Sequence, residues 1–67
     1  MTFKRYTIEE ALYICECFAF YDNDAITVLA DYVGMESEWR FCFEEDIEDL
    51  YEEITKKARI KYDTEEA

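Results

Sequence analysis

Cysteine and serine are the side chains that could act as nucleophiles in this sequence, and neither has a suitable base nearby. The chain contains Cys15, Cys17, Cys42 and a single serine, Ser37, but no histidine. A nucleophile needs a general base within hydrogen-bond reach, most often histidine. The acids could supply a catalytic carboxylate pair instead, but a chain of 67 residues has little room for the required pocket. We therefore predict that the protein is not an enzyme and has no catalytic residues.

The possible metal ligands are also poorly arranged. The three cysteines fit no zinc-binding spacing, and there is no histidine to complete a set. Residues 22–24 begin like a calcium-binding loop, but Ile26 then occupies a ligand position and Thr27 the place of the required glycine. We expect residues 22–24 to form a capping turn, with no metal site and no cofactor. The thiols are expected to be reduced and largely buried in a protein of the host cytoplasm.

Carboxylates are the most abundant charged groups, and they greatly outnumber the cations. Eighteen Asp and Glu residues oppose seven Lys and Arg residues, for a net charge of −11. A net charge of magnitude about 2–8 is enough to keep a small domain soluble. Nucleic acids and anionic membranes are bound through Lys and Arg side chains. We therefore expect neither direct nucleic-acid binding nor membrane association, but a basic protein partner.

The acids are most regularly spaced near the middle of the second half of the chain. They recur every four residues in two columns, Glu44, Glu48 and Glu52 in one and Glu45, Asp49 and Glu53 in the other. On a helix such neighbours are about 6 Å apart, and each like-charge pair costs roughly 0.2–0.5 kcal/mol. Farther along, Lys56 and Lys57 follow the last acid of each column by four residues. Only the N-terminal half of this helix is therefore expected to remain anionic.

Two interpretations of these columns are open. In the first, the carboxylates imitate successive phosphates of DNA and offer the same acceptors to Arg and Lys in a DNA-binding cleft. In the second, they form a solvated helix face whose first acids are favoured by the helix dipole. Further acids at Asp31, Glu36 and Glu38 extend the anionic surface. We predict that the six column acids and these three bind the partner.

The elements that carry the acids are predicted to be three helices. The first begins at Thr7, which forms a capping box with Glu10, and the second follows residues 22–24 and extends to about Val33, with Gly34 as the C′ residue after it. The third extends from about residue 44 to about residue 61. Its apolar positions are Ile47, Leu50, Tyr51, Ile54 and Ala58. The sequence thus predicts a small, mainly α domain of residues 1–62 followed by a frayed acidic tail, residues 63–67.

Two segments allow alternative structures. The first predicted helix is apolar on almost every side, so it is either central in the domain or covered by a second copy in a homodimer. Trp39, Phe41 and Phe43 alternate with polar or small residues. This alternation predicts either a strand in residues 39–43 that pairs with residues 2–6, or an aromatic entry into the third helix.

Several of these segments resemble a known protein family. Residues 24–34, Trp39, residues 43–46 and residues 51–53 are similar to a segment of the ArdA-type anti-restriction proteins. That segment also places a Tyr-containing helix ending near Gly before an aromatic residue and a helix with Phe-Glu-Glu. The resemblance covers under half of the chain, and implies a DNA mimic that occupies the DNA site of a restriction enzyme. More loosely, the chain resembles small acidic phage inhibitors such as Ocr-like proteins and anti-CRISPRs.

Composition, columns and resemblance lead to one main hypothesis. The protein is expected to be a DNA mimic, encoded by a phage or mobile element, that inhibits a restriction enzyme or CRISPR effector of the host. The main alternative is an acidic interaction module, such as an antitoxin-like or regulatory subunit, that binds one basic partner through exposed aromatic residues. A third possibility is a structural virion or assembly protein.

Overall fold

The computed structural model describes residues 6–17 and 22–66, and all regular structure in this part of the chain is helical. The elements are α1 (Ile8–Cys17), α2 (Asn23–Tyr32), α3 (Glu36–Arg40), a 3-10 turn (Glu44–Asp46) and α4 (Ile47–Glu66). The prediction of a small, mainly α fold is confirmed. The short helix α3 is an addition to the three helices expected from the sequence.

Residues 39–43 end a helix and do not form a strand. Trp39 and Arg40 complete α3, and Phe43 leads directly into the 3-10 turn. The Trp39 ring packs edge-on against Tyr51 of α4, with 6.1 Å between the ring centroids. An aromatic entry into the last helix is therefore the alternative that holds. Residues 2–6 were expected to pair with this segment as a strand. Of these, only Tyr6 belongs to the described residues, and it has no regular secondary structure.

The start of α1 is stabilised by the predicted capping box. The backbone N–H of Glu10 donates to Thr7 Oγ1 at 3.1 Å, and the backbone N–H of Thr7 donates to Glu10 Oε1 at 2.9 Å. These two bonds satisfy donors that the first turn of a helix otherwise leaves without partners. The predicted continuation of this helix beyond Cys17 lies outside the described residues.

Both ends of α2 are formed by local hydrogen bonds. Asp22 is the N-cap, and its Oδ1 accepts from the backbone N–H of Ala25 at 3.0 Å. At the other end the backbone N–H of Met35 donates to the Ala30 carbonyl at 2.7 Å. Gly34 has a φ of 75°, as a C′ residue in this type of helix end requires. The predicted limits of this helix are therefore explained by its capping residues.

The last helix is longer than the residue pattern predicts. Residues 63–66, for which we expected a frayed tail, continue α4. Asp63 accepts from Arg59 at 3.1 Å, and Glu65 lies 3.4 Å from Lys61. Glu65 also accepts a hydrogen bond from the Tyr32 hydroxyl at 3.1 Å, which ties the end of α4 to α2. These contacts hold residues 63–66 in the helix. An isolated tail would instead have only solvent as the partner of its acids.

The core lies between α1, α2 and α4. Leu12, Ile26, Leu29 and Ile54 are its largest fully buried side chains. Burying each such side chain stabilises the fold by about 1.5–3 kcal/mol. The helix α1 contributes only one face to this core, because its Tyr13 is 69% exposed. In the described chain α1 is therefore a peripheral helix with an open outer face.

A small polar cluster joins α1 to the other helices inside the structure. The Tyr51 hydroxyl donates to Cys15 Sγ at 3.3 Å and accepts from the backbone N–H of Asp22 at 3.5 Å. Burial raises the pKa of the Cys15 thiol and of the Tyr51 hydroxyl above their ordinary values. The expectation of buried thiols holds for Cys15 alone, since Cys17 is exposed and Cys42 half-buried.

Candidate partner-binding surface

The two predicted columns of acids do not share one α-helix along their whole length. Glu44 and Glu45 belong to the 3-10 turn, and α4 begins only at Ile47. A 3-10 turn has about 3.0 residues per turn instead of 3.6, so these two acids are rotated out of line with Glu48 and Asp49. The predicted four-residue register of the columns therefore does not extend to Glu44 and Glu45. The change of helix type could not be predicted, because no residue in the sequence marks it.

The later members of the columns are paired with lysines. Glu52 lies 3.4 Å from Lys56, and Glu53 lies 3.4 Å from Lys57. More than half of each of these side chains is exposed, and exposed pairs of this spacing contribute about 0.3–0.5 kcal/mol. The expected change from an anionic to a balanced half of the helix is therefore seen in the structure.

Five acids around the start of α4 have no cationic partner among the described residues. They are Glu44, Glu45, Asp46, Glu48 and Asp49, and all five are exposed. Their side chains accept no hydrogen bond within the same part of the chain. Acids near the N-terminus of a helix are each stabilised by about 0.3–1 kcal/mol through the helix dipole. This position therefore gives the five acids a stabilising role in the fold while their oxygens stay open to a partner.

A second group of acids borders a groove of about 670 Å³ that none of the five acids around the start of α4 lines. Asp24 and Asp31 of α2 and Glu36 of α3 line it, together with apolar atoms of Ile8 and Val28. Among the predicted site residues, Asp31 and Glu36 thus lie in the groove, whereas the exposed Glu38 of α3 does not line it. The groove itself was missed in the sequence, because its walls come from separate helices.

Asp31 occupies an unfavourable position in α2. It lies in the last turn, which contains no basic residue. The C-terminus of a helix carries partial negative charge, so an acid there is disfavoured by about 0.3–1 kcal/mol. Within the described chain no cationic side chain forms an ion pair with Asp31. Its position contributes charge to the groove at the expense of helix stability.

Four of the five cations of the described residues lie near the middle of α4. They are Lys56, Lys57, Arg59 and Lys61, and each forms an ion pair, whereas the last turn of α4 has no basic residue. Arg59 binds Glu16 of α1 with both its Nε and its Nη2, at 3.1 and 2.7 Å. The acids at the start of α4 are thus separated from most of the positive charge, whereas the groove has Arg40 in its lining and Lys61 lies 5.1 Å from the ring centroid of its Tyr32.

Exposed aromatic residues stand beside the acids of the 3-10 turn. Phe41 is 75% and Phe43 73% exposed. Single exposed apolar residues are common on proteins, but two phenylalanines next to a run of carboxylates form a mixed apolar and anionic patch. Among the other aromatic residues that could contact a partner, Tyr13 is 69% exposed, whereas Tyr51 is buried and Trp39 and Tyr32 are half-buried and pack against the core.

The size of the molecule allows its charge to be compared with that of DNA. Its principal-axis extents over the described residues are 34 × 28 × 24 Å. A DNA duplex carries one phosphate charge per ~1.7 Å, so a duplex of that length would carry about 20 charges. The net charge of −11 is about half of this value. The chain therefore carries about half the charge of a DNA duplex of comparable length.

Comparisons with known proteins give no relative. No protein-family model matches the sequence, and no match was found among curated proteins or solved structures. Within the described residues, no group of three or more Cys, Asp or Glu side chains could hold a metal ion. None of the helices described is long and apolar enough to cross a membrane.

Proposed function

We propose that this protein is a DNA-mimic inhibitor. It acts by occupying the nucleic-acid-binding site of a DNA-binding defence protein of the host, such as a restriction enzyme or a CRISPR effector. The observation that carries the proposal is the run of five exposed acids around the start of α4, which have no cationic partner among the described residues. The acids of the groove extend the same anionic character to a second surface.

The physical basis of the proposed inhibition is the likeness between carboxylate and phosphate as acceptors. Arg binds either group through two parallel N–H···O bonds, and Lys binds either as a point charge. Acids held on an ordered helix lose less conformational freedom on binding than acids on an unfolded tail. A cleft that is lined with Arg and Lys for DNA would therefore accept this surface without any catalytic step by the inhibitor.

The resemblance to the ArdA-type proteins supports the same function. The similar segments, residues 24–34, 43–46 and 51–53, include Asp31 and three of the five acids around the start of α4, Glu44, Glu45 and Asp46. The resemblance to that family implies that acids of this kind occupy the DNA site of a restriction enzyme. The proposal extends this role to a chain that is far shorter than that multi-domain family.

Competitive elution from immobilised DNA tests the proposal. Host lysate is loaded on a duplex-DNA column, the protein is added at constant salt, and eluted proteins are identified by mass spectrometry. We expect the elution of a specific DNA-binding protein. The double variant Glu48→Gln/Asp49→Asn should elute much less of it, because it loses two of the acids that stand in for phosphates.

A variant of equal net charge controls for unspecific electrostatics. Glu9→Gln/Thr64→Lys raises the net charge by the same two units at exposed positions away from the start of α4. This control should elute the DNA-binding protein as well as the unchanged chain does. If both double variants lose activity equally, or if the unchanged chain elutes nothing, the protein does not act as the proposed mimic.

The alternative, an acidic interaction module, is favoured by the exposure of Phe41 and Phe43. In that case the two rings would enter an apolar pocket of one basic partner, and the acids would serve mainly to orient it. Phe41→Ser/Phe43→Ser should then abolish binding, whereas Glu48→Gln/Asp49→Asn should change it little. Homodimerisation through the open face of α1, where Tyr13 and Cys17 are exposed, is compatible with either function.

A further inference from the structure

We propose that the groove along α2 binds a helix of the partner that carries two basic side chains seven residues apart, with an apolar side chain between them. This inference rests on the proposed function in one respect, namely that the partner is basic. It adds where a segment of the partner binds, namely the groove, and that this segment is a helix. The groove contains none of the acids around the start of α4.

The spacing of acids and apolar atoms on α2 determines the form of the ligand. Asp24 and Asp31 are seven residues apart, so they lie on nearly the same line of the helix and about 10 Å apart along its axis. Thr27 and Val28 lie between them, and all four residues line the groove. The floor of the groove is therefore anionic at two points and apolar between them.

A helical ligand matches this spacing more closely than an extended one. Two basic residues seven positions apart on a helix share one face at the same separation of about 10 Å. In an extended segment, about 10 Å corresponds to three residues, and side chains three positions apart point to opposite faces. An extended peptide would have to use basic side chains two or four positions apart, about 7 or 13 Å, which fit the separation of the two aspartates less closely.

The walls of the groove restrict the charge and size of the ligand. Ile8 and Tyr6 border it near the start of α1, and Glu36 and Arg40 border it on α3. Its volume of about 670 Å³ is in the range of protein sites that enclose several ligand groups, about 300–1,000 Å³. Three acids against one cation leave the lining anionic, so basic side chains are attracted. Arg40 is the one lining group that opposes them.

Asp31 provides a second reason to assign binding to this groove. The residue lies where the dipole of α2 disfavours a negative charge, and no ion pair within the described chain compensates it. Asparagine would fit the same backbone and avoid this repulsion. A basic side chain of a ligand placed beside Asp31 would remove the unfavourable interaction on binding.

Two designed helical peptides test the inference directly. The first is a fluorescently labelled Ala/Gln-based peptide that carries two arginines seven positions apart and a leucine four positions after the first arginine. The second has the same composition, with the arginines on opposite faces. By fluorescence anisotropy at constant salt, we expect the first peptide to bind about tenfold more tightly, because only its arginines reach both aspartates.

Variants of the groove locate the binding site. Asp24→Asn and Asp31→Asn should each weaken binding of the first peptide about fivefold, and Arg40→Gln should strengthen it, because each changes one charge beside the ligand. Glu48→Gln/Asp49→Asn, outside the groove, should leave it within about twofold of the original value. Circular dichroism of each variant shows whether it is folded.

Equal binding of the two peptides would overturn the inference, because the peptides would then be held by net charge alone. Unchanged binding in the folded Asp24→Asn and Asp31→Asn variants would overturn it as well. Neither result would affect the elution from DNA expected of the acids around the start of α4. Conversely, specific peptide binding without any elution from DNA would contradict the proposed DNA mimicry and leave the groove as a site for a basic helix.

Discussion

At the scale of single residues, the effect of an acid depends on its place along its helix. Glu48 and Asp49 lie in the first turn of α4, where the helix dipole favours them, whereas Asp31 lies in the last turn of α2. The like-charge spacing that suggested a cost at the start of α4 is thus partly offset by the dipole. Asp31 is the acid whose stability cost is clearest.

Asp31→Asn should stabilise the protein while it weakens binding in the groove. Removing about 0.3–1 kcal/mol of unfavourable dipole interaction should raise the melting temperature by roughly 1–8 °C. Thermal unfolding followed by circular dichroism measures the change, with Glu38→Gln in α3 as a control at an exposed acid outside the groove. A lower melting temperature in Asp31→Asn would show that Asp31 supports the fold and would contradict this account.

The buried pair Cys15 and Tyr51 should make stability depend on pH in the alkaline range. Both groups have a folded-state pKa above the ordinary values of 9.0 and 10.0, so their stabilising contribution is complete below about pH 9. It is lost as the pH rises through the folded-state pKa, because the buried groups must then ionise.

The free energy of unfolding should therefore decline above about pH 9, as measured by urea denaturation at a series of pH values. In Cys15→Ala the decline should begin nearer pH 10, where the Tyr51 and Tyr6 hydroxyls, both with a raised pKa, contribute. Identical pH profiles for the two proteins would show that the Cys15 thiol is not protected by burial.

At the scale of elements, the sequence predicts those features that depend on neighbouring residues. The capping box at Thr7 and the helix end at Gly34 are local patterns, and both are present as predicted. The helix α3 has no side-chain cap and is held through the contact of Trp39 with Tyr51, which are distant in sequence. The groove likewise depends on three helices. One local signal could have indicated its floor, namely the seven-residue spacing of Asp24 and Asp31.

Apolar packing, more than ion pairing, should hold α4 in place. Ile54 is fully buried, so Ile54→Ala should lower the free energy of unfolding by about 2–5 kcal/mol. Arg59 joins α4 to α1 through Glu16, but both side chains are partly exposed, and Arg59→Gln should have a much smaller effect. Urea denaturation compares the two variants. A larger loss for Arg59→Gln would mean that the ion pair determines how α1 and α4 are joined.

At the scale of the whole molecule, the net charge of −11 should oppose the folded state. Like charges are closer together in a compact chain than in an unfolded one, so their repulsion destabilises the fold. Salt screens this repulsion, with a Debye length of about 10 Å at 0.1 M. The excess charge is therefore compatible with folding, but it reduces stability at low ionic strength.

Adding sodium chloride between about 0.05 and 0.5 M should accordingly raise the melting temperature. The control variant Glu9→Gln/Thr64→Lys, which carries less net charge, should respond less to salt. A melting temperature that falls with salt would show that the ion pairs on α4 outweigh the general repulsion.

The central claim is that the acids around the start of α4 take the place of DNA phosphates. Equilibrium competition tests it most directly, with a labelled duplex bound to the DNA-binding protein that the column experiment identifies. The account predicts complete displacement of the duplex and no ternary complex, with an affinity that falls at least tenfold between about 50 and 200 mM salt. A ternary complex with the duplex, or an affinity independent of salt, would contradict it.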